Sequence, residues 1–311
     1  PAAGTVIGNY QIRNVLGRGG SGVVMLAREK NLNRSAALKL IAKGPHSARF
    51  MTEARIIAML HHPNIVNLWD YGEDGGLLYL ALQYVEGTTL QERMREAAMA
   101  PDECFRVLRD IADALEHAHA NNVVHCDLKP SNVMIGRDGC VRVVDFGIAQ
   151  TESAGAAGGT PDWMAPEQAR RPAVAALTDR VDTWALGLLA YQLLTGEHAL
   201  GAPAAERRAL LLDDSREPEL CMPSSTPPLI LDLVARALRR TPELRPSMAE
   251  CKRVLGEVID GRGEGFFEDG PYPGISPFDE ERARFFFGRD DEVNAFLDRL
   301  RHVPCLSLIH I

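Results

Sequence analysis

The sequence predicts an α+β fold of two lobes, a small antiparallel β-sheet lobe with one helix followed by a larger, mainly α lobe. Three observations predict it. Residues 8–85 are short apolar runs broken by Gly-rich turns; from Thr89 onward the apolar spacing becomes helical; and 311 residues are too many for one small core. No internal repeat interrupts this pattern.

The elements follow in order. "YQIRNVLGRGGSGVVMLARE" is two apolar runs around a Gly-rich turn and predicts a hairpin, and "SAALKLIA" predicts a third strand. "ARFMTEARIIAML" sets Phe50, Ile57 and Leu60 near helical spacing, with Glu53 among them. "HPNIVNLWDYGEDGGLLYLALQYVEG" predicts two more strands. After Thr89, "DECFRVLRDIADALEHAHANN" predicts a long amphipathic helix ending at Asn-Asn. "DRVDTWALGLLAYQLLTG" is apolar nearly all round up to Gly196, the pattern of a central buried helix. "LILDLVARALRR" and "MAECKRVLGEVI" predict two further helices. The main domain therefore spans 8–259, with lobes of about 8–85 and 89–259. Residues 260–277 form a Gly/Pro-rich linker, and 278–311 hold one amphipathic helix pattern and a strand-like end.

With 46% hydrophobic and 24% charged residues, the composition is that of a globular protein. A net charge of -8 argues against a nucleic-acid partner. The six cysteines are scattered without CxxC spacing, which favours a reducing, cytoplasmic setting over disulfides or a zinc site. No apolar run reaches transmembrane length.

Phosphoryl transfer from ATP requires a held triphosphate, Mg²⁺ to screen its charge, an aimed nucleophile and exclusion of water. The sequence offers candidates for each. Gly17, Arg18, Gly19, Gly20, Ser21 and Gly22 form a GxGxxG loop between two strand patterns, where glycines let backbone N–H groups approach phosphate oxygens. In a dinucleotide fold the same spacing opens a helix instead. Lys39 lies in an apolar strand, and Glu53 is a carboxylate that would orient it towards α- and β-phosphates. In "HCDLKPSN", Asp127 would accept the proton of a substrate hydroxyl, Lys129 would neutralise the transferred phosphoryl, and Asn132 would hold Mg²⁺. Asp145 in "VRVVDFG" supplies a hard oxygen suited to the bridging Mg²⁺.

In that order, these motifs resemble the eukaryotic-type protein kinase family, and the resemblance runs from residue 8 to about 259. "GTPDWMAPEQ" is similar to the family's substrate-binding segment, with Glu167 and Arg245 matching its ion pair and Asp182 its buried carboxylate. Lys129, two residues after Asp127, resembles the serine/threonine branch, and the whole is most similar to bacterial signalling kinases. The resemblance implies a bilobal kinase-like fold, ATP and Mg²⁺ as cofactors, and protein substrates phosphorylated on Ser or Thr. It further implies Leu82 as gatekeeper, Gln83, Tyr84 and Val85 as the hinge, and Val24, Ala37 and Met134 around the adenine. Ile57, Leu68, His125 and Phe146 would stack as a spine, and Thr160 would shape the acceptor site.

Cys126 departs from the family pattern, which has Arg there to pair with a phosphorylated activation loop. This implies activity less dependent on phosphorylation at Thr151 or Ser153, with Cys126 a small buried side chain. The Ala/Gly-rich loop 148–160 is expected to be mobile. The tail resembles the lead-in to a STAND-type NTPase, which makes downstream NTPase or repeat domains in a longer chain one reading and a poorly ordered extension the other. Two alternatives to an active kinase stay open: a pseudokinase scaffold, and a small-molecule phosphotransferase of related fold.

Overall fold

In the computed structural model, residues 1–19, 22–44, 47–146, 161–170, 177–201, 204–213 and 217–261 are described. Pro1–Asp260 form one unit and Gly261–Ile311 a second. Nearly all of the expected linker and the tail after it lie outside the described residues, as do Gly20, Ser21, Thr151, Ser153 and Thr160.

The N-terminal lobe is a six-stranded antiparallel sheet in the order β1-β2-β3-β4-β6-β5. Its strands are β1 (Val6–Ile7), β2 (Tyr10–Gly19), β3 (Gly22–Glu29), β4 (Ser35–Ala42), β5 (Leu68–Asp74) and β6 (Leu77–Gln83), with α1 (Ser47–Met59) inserted before β5. Alternation decides what each face does. Met25, Ala27, Ala36, Leu38, Tyr79 and Ala81 bury one face. On the other, Leu78 and Leu80 pack under Phe50 and Ala54 of α1. Lys39 falls on this second face because it is one residue out of phase with Leu38 and Leu40.

At Thr89 the chain turns helical. Thr89 Oγ1 accepts from the Glu92 N–H at 3.1 Å and Glu92 Oε2 accepts from the Thr89 N–H at 2.8 Å, a reciprocal cap that starts α2 (Leu90–Glu96). The long α3 (Pro101–Ala120) opens on Pro101 with Asp102 and Glu103 in its first turn and closes with His117 and His119, in line with its dipole. After it come α4 (Pro166–Ala169), α5 (Arg180–Thr195), α6 (Ala204–Leu212), α7 (Pro228–Ala237) and α8 (Met248–Ile259). Every residue of α5 from Val181 to Tyr191 is buried, as its nearly all-apolar sequence predicts, Asp182 and Thr183 included. It ends at Gly196, whose φ of 77° suits glycine as the residue past a helix end.

One feature of this lobe departs from the sequence reading. A small sheet, β7 (Gly87–Thr89), β8 (Val133–Gly136) and β9 (Val141–Val143), crosses what reads as helical territory. Strands of three or four residues are too short for periodicity to register. Among the described residues no helix is long and apolar enough to cross a membrane.

Candidate active site

The polar loop 125–132 sits between α3 and β8, and its backbone is held by one buried carboxylate. Asp182 on α5, 1% exposed, accepts from the N–H groups of His125 and Cys126 at 2.8 and 2.9 Å and bonds His119 Nε2 at 2.8 Å. Burial alone would raise the pKa of Asp182; the hydrogen bond and charge of His119, with His125, outweigh it and hold the carboxyl below its usual range. Cys126 has a φ of 62°, a conformation costing an L-residue about 1–2 kcal/mol. Its N–H goes to Asp182, and its carbonyl accepts from Gln168 Nε2 at 2.9 Å. The clamp on both sides of the residue maintains the strained geometry. The Cys126 side chain is 6% exposed, the small buried group expected.

This clamp aims Asp127. Lys129 Nζ lies 2.7 Å from Asp127 Oδ2, and Asn132 Nδ2 donates to the same oxygen at 3.2 Å and to the Asp127 carbonyl at 2.9 Å. With its nitrogen so engaged, the Asn132 amide presents Oδ1 as an oxygen donor. The loop is stitched to the segment before Asp145: Val144 N–H donates to the Asn132 carbonyl at 2.9 Å, and His125 Nε2 donates to the Val144 carbonyl at 3.1 Å. His125 and Phe146 rings lie 4.7 Å apart, and both are buried together with Ile57.

Asp145 has a φ of 55°, which turns the chain so that its carboxylate meets the opposite lobe. Lys39 Nζ, on the buried side of β4, lies 3.3 Å from Asp145 Oδ1. Lys39 is 5% exposed whereas the Asp145 side chain is 42% exposed, so the carboxylate keeps an open side. One carboxylate and one amide oxygen are hard ligands of the kind Mg²⁺ takes alongside phosphate oxygens and water. Glu53 belongs to α1 as expected, but its side chain lies outside what the structure describes.

Val24, Ala37 and Leu82 fall on the Lys39 side of the sheet, whereas Met134 lies on β8 of the small sheet. Register pairs Gly17 with Val24, Val24 with Lys39, and Ala37 with Leu82. Val24, Ala37 and Met134 are half-buried, whereas the alternate residues Met25 and Leu38 are in the core. Gln83 donates its N–H to the Asn67 carbonyl at 2.8 Å, immediately before Tyr84 and Val85. Arg18 and Gly19 complete the rim by pairing with Val23 and Gly22.

Further out, Arg245 grips Glu167 with two bonds, Nη1–Oε1 at 2.6 Å and Nη2–Oε2 at 2.9 Å, and donates to the carbonyls of Arg180, Arg239 and Arg240. Three supports escaped the sequence reading: His119, Gln168 and Asn64. Asn64 donates from Nδ2 to the Val141 carbonyl at 2.7 Å and so links the stretch after α1 to β9. Each bonds a partner distant in the chain. Gln168 alone had a local cue, its place directly after Ala165-Pro166-Glu167.

The protein kinase domain profile matches residues 10–254. The chain belongs to the protein kinase family. A second profile, Novel STAND NTPase 1, matches residues 271–310. Serine/threonine-protein kinase PknD of Mycobacterium tuberculosis is 34% identical over 259 residues, covering 79% of this chain and 39% of that protein. PrkC of Bacillus subtilis, also a serine/threonine-protein kinase, is 33% identical over 258 residues, with shares of 79% and 39%. PknB of Mycolicibacterium smegmatis is 34% identical over 275 residues, with shares of 81% and 43%. The chain thus spans about two fifths of the length of these relatives. It is of the bacterial type, with a STAND NTPase segment after the kinase domain.

Proposed function

We propose that this chain is a serine/threonine protein kinase that transfers the γ-phosphoryl group of ATP to hydroxyls of protein substrates. The observation that carries the reading is the convergence at the junction of the lobes: Lys129 and Asn132 on the Asp127 carboxylate, and Lys39 reaching across to Asp145. A Ser or Thr hydroxyl on Asp127 is oriented and gives its proton to that carboxylate as its oxygen bonds to phosphorus. The bond from phosphorus to the β,γ-bridging oxygen breaks, and ADP leaves with that electron pair. Lys129 balances charge on the phosphoryl in transit, and Lys39 positions the α- and β-phosphates, oriented by Glu53. Bound through Asn132 and Asp145, Mg²⁺ would supply charge neutralisation of the triphosphate. Gly17 to Gly22 cover the phosphates; Val24, Ala37 and Met134 enclose the adenine beside Leu82, with Gln83 to Val85 as the hinge. Thr160 shapes the acceptor site.

Two further proposals accompany this one. Cys126 offers no fixed cation to a loop phosphate, so activity depends less on phosphorylation at Thr151 or Ser153, while Asp182 and Gln168 hold the catalytic loop itself. The 271–310 match points to an NTPase module in the same full-length protein, working in the cytoplasm; no disulfide joins the five described cysteines. The test is incubation with labelled ATP, Mg²⁺ and acidic and basic carrier proteins, followed by phosphoamino-acid analysis. Phosphoserine or phosphothreonine is expected. Nucleotide binding with no transfer to any protein, this chain included, would establish the pseudokinase reading instead.

A further inference from the structure

A groove of about 870 Å³ opens beside the catalytic loop, bounded by α2 and the residues after it, Lys129 to Ser131, Asp162 and Trp163, the C-terminal end of α5, and Arg207 of α6. It begins at Lys129, whose ammonium is 2.7 Å from the Asp127 carboxylate. A polypeptide with its hydroxyl on Asp127 has this surface directly beside its acceptor residue.

The charges of the groove leave one cation in excess. Its lining carries Arg95, Lys129 and Arg207; Lys129 is paired with the Asp127 carboxylate at 2.7 Å and Arg207 with Asp162 at 3.0 Å. Arg95 is exposed. His198 adds no charge at neutral pH, because burial lowers its pKa. Its Nε2 donates to the Asp162 carbonyl at 2.8 Å, and its Nδ1 accepts from the Leu200 N–H at 3.2 Å. In a chain of net charge -8, the exposed Arg95 therefore gives this surface a net positive charge next to the acceptor position. A positive surface with low-dielectric walls attracts carboxylates and repels cations.

We propose that this groove selects protein substrates carrying acidic residues beside the phosphorylated Ser or Thr, with Arg95 a specificity-determining residue. The proposal rests on the kinase reading above and goes beyond it by naming the substrate class. Exposed ion pairs are weak, so selectivity is a matter of several-fold effects in kcat/KM rather than absolute exclusion.

The experiment uses the full chain and three peptides identical except for flanking Glu, Ala or Arg around one central Ser. The expected kcat/KM order is Glu, then Ala, then Arg. The Arg95→Glu variant should lower the Glu-to-Arg ratio by roughly tenfold, and Arg95→Lys should restore most of it. A ratio between peptides is unaffected by loss of folded enzyme, so partial misfolding of a variant would not mimic the result. Equal use of the three peptides, preference for Arg, or an unchanged ratio in Arg95→Glu would overturn the groove assignment while leaving the kinase reading intact. Failure of the unmodified chain to phosphorylate any peptide or itself would overturn both.

Discussion

The Asp182 carboxylate on the central helix accepts the backbone N–H of Cys126 at 2.9 Å, and so fixes from below the loop that carries Asp127. Its two other partners, His119 and the N–H of His125, share the second oxygen. Asp182→Asn would turn an N–H₂ group towards one set of donors and leave them buried without acceptors. The expected loss is about 2–5 kcal/mol, read by denaturant unfolding, with kcat falling as the loop loosens. The pH dependence has a defined sign. Because the folded pKa is depressed, the stabilisation is fully present above the unfolded carboxylate range, about 3.9, and is lost as pH falls below that through the folded value. The variant should therefore show a shallower loss of stability in acid; equal slopes would count against the clamp.

Asp127→Asn keeps shape and hydrogen-bonding reach while removing the proton acceptor. We expect kcat to fall about 10²- to 10⁴-fold with ATP affinity nearly unchanged, since the residues proposed around adenine and the phosphates lie elsewhere. A titration of nucleotide binding beside a single-turnover assay separates the two quantities. Loss of ATP binding in proportion to activity would mean that Asp127 is structural.

Much of this site was legible in the sequence because its chemistry is concentrated in short stretches. Residues 125–132 place Asp127, Lys129 and Asn132 within one turn of chain, and the structure brings all three together at 2.7–3.2 Å. Lys39 was legible as a lone cation in an apolar strand; the structure adds that alternation turns it away from Leu38 and Leu40 and towards α1. Less legible were His119 and Asn64, whose partners lie 63 and 77 residues away. A local pattern carries no trace of such pairings. The β7-β8-β9 sheet escaped for a different reason, since three residues of alternation cannot be told from loop. Gly17 and Gly22 share a motif, but only the structure separates their roles: a side chain has open space at Gly17, whereas Gly22 lies against β4.

Replacing Thr151 and Ser153 together by Ala should leave most of the transferase activity. On the proposed reading Cys126 offers no cation for a loop phosphate to pair with, while Asp182 and Gln168 hold the backbone of the catalytic loop on its two sides. Gln168→Ala, by contrast, should reduce kcat by weakening that clamp. An inactive double variant with normal thermal stability would refute the idea. Alkylation gives a second check: the buried Cys126 should react far more slowly than the exposed Cys140 and Cys221.

The Arg245–Glu167 pair holds α4 against the start of α5 and the turn at Pro242–Leu244. The Arg245 side chain is fully buried and satisfied by one carboxylate and three carbonyls, with Trp184 5.0 Å from its guanidinium carbon. Glu167→Gln removes the countercharge and leaves the cation buried, at an expected cost of about 3–5 kcal/mol. Arg245→Met removes the cation but strands the three carbonyls and a partly exposed carboxylate, so its loss should be comparable. The double variant should lose less than the sum of the two, and strict additivity in chemical denaturation would show that the pair is not coupled.

Gly22 separates backbone requirement from mere flexibility in the phosphate loop. Its φ is +121°, and a Cβ there would strike the Leu40 carbonyl oxygen and lie 2.8 Å from Ile41 Cγ2. A Cβ at Gly19 would meet none of the described residues within 4 Å. Gly22→Ala must therefore push β3 away from β4 next to Lys39, whose register partner is Val24. The expected result is a loss of about 1–3 kcal/mol in the N-terminal lobe together with weaker ATP binding. Gly19→Ala should leave thermal stability within about 1 kcal/mol of the parent, because neither strain nor collision opposes the methyl group. Equal melting temperatures for the two variants would show that the approach of Gly22 to β4 does not constrain the fold.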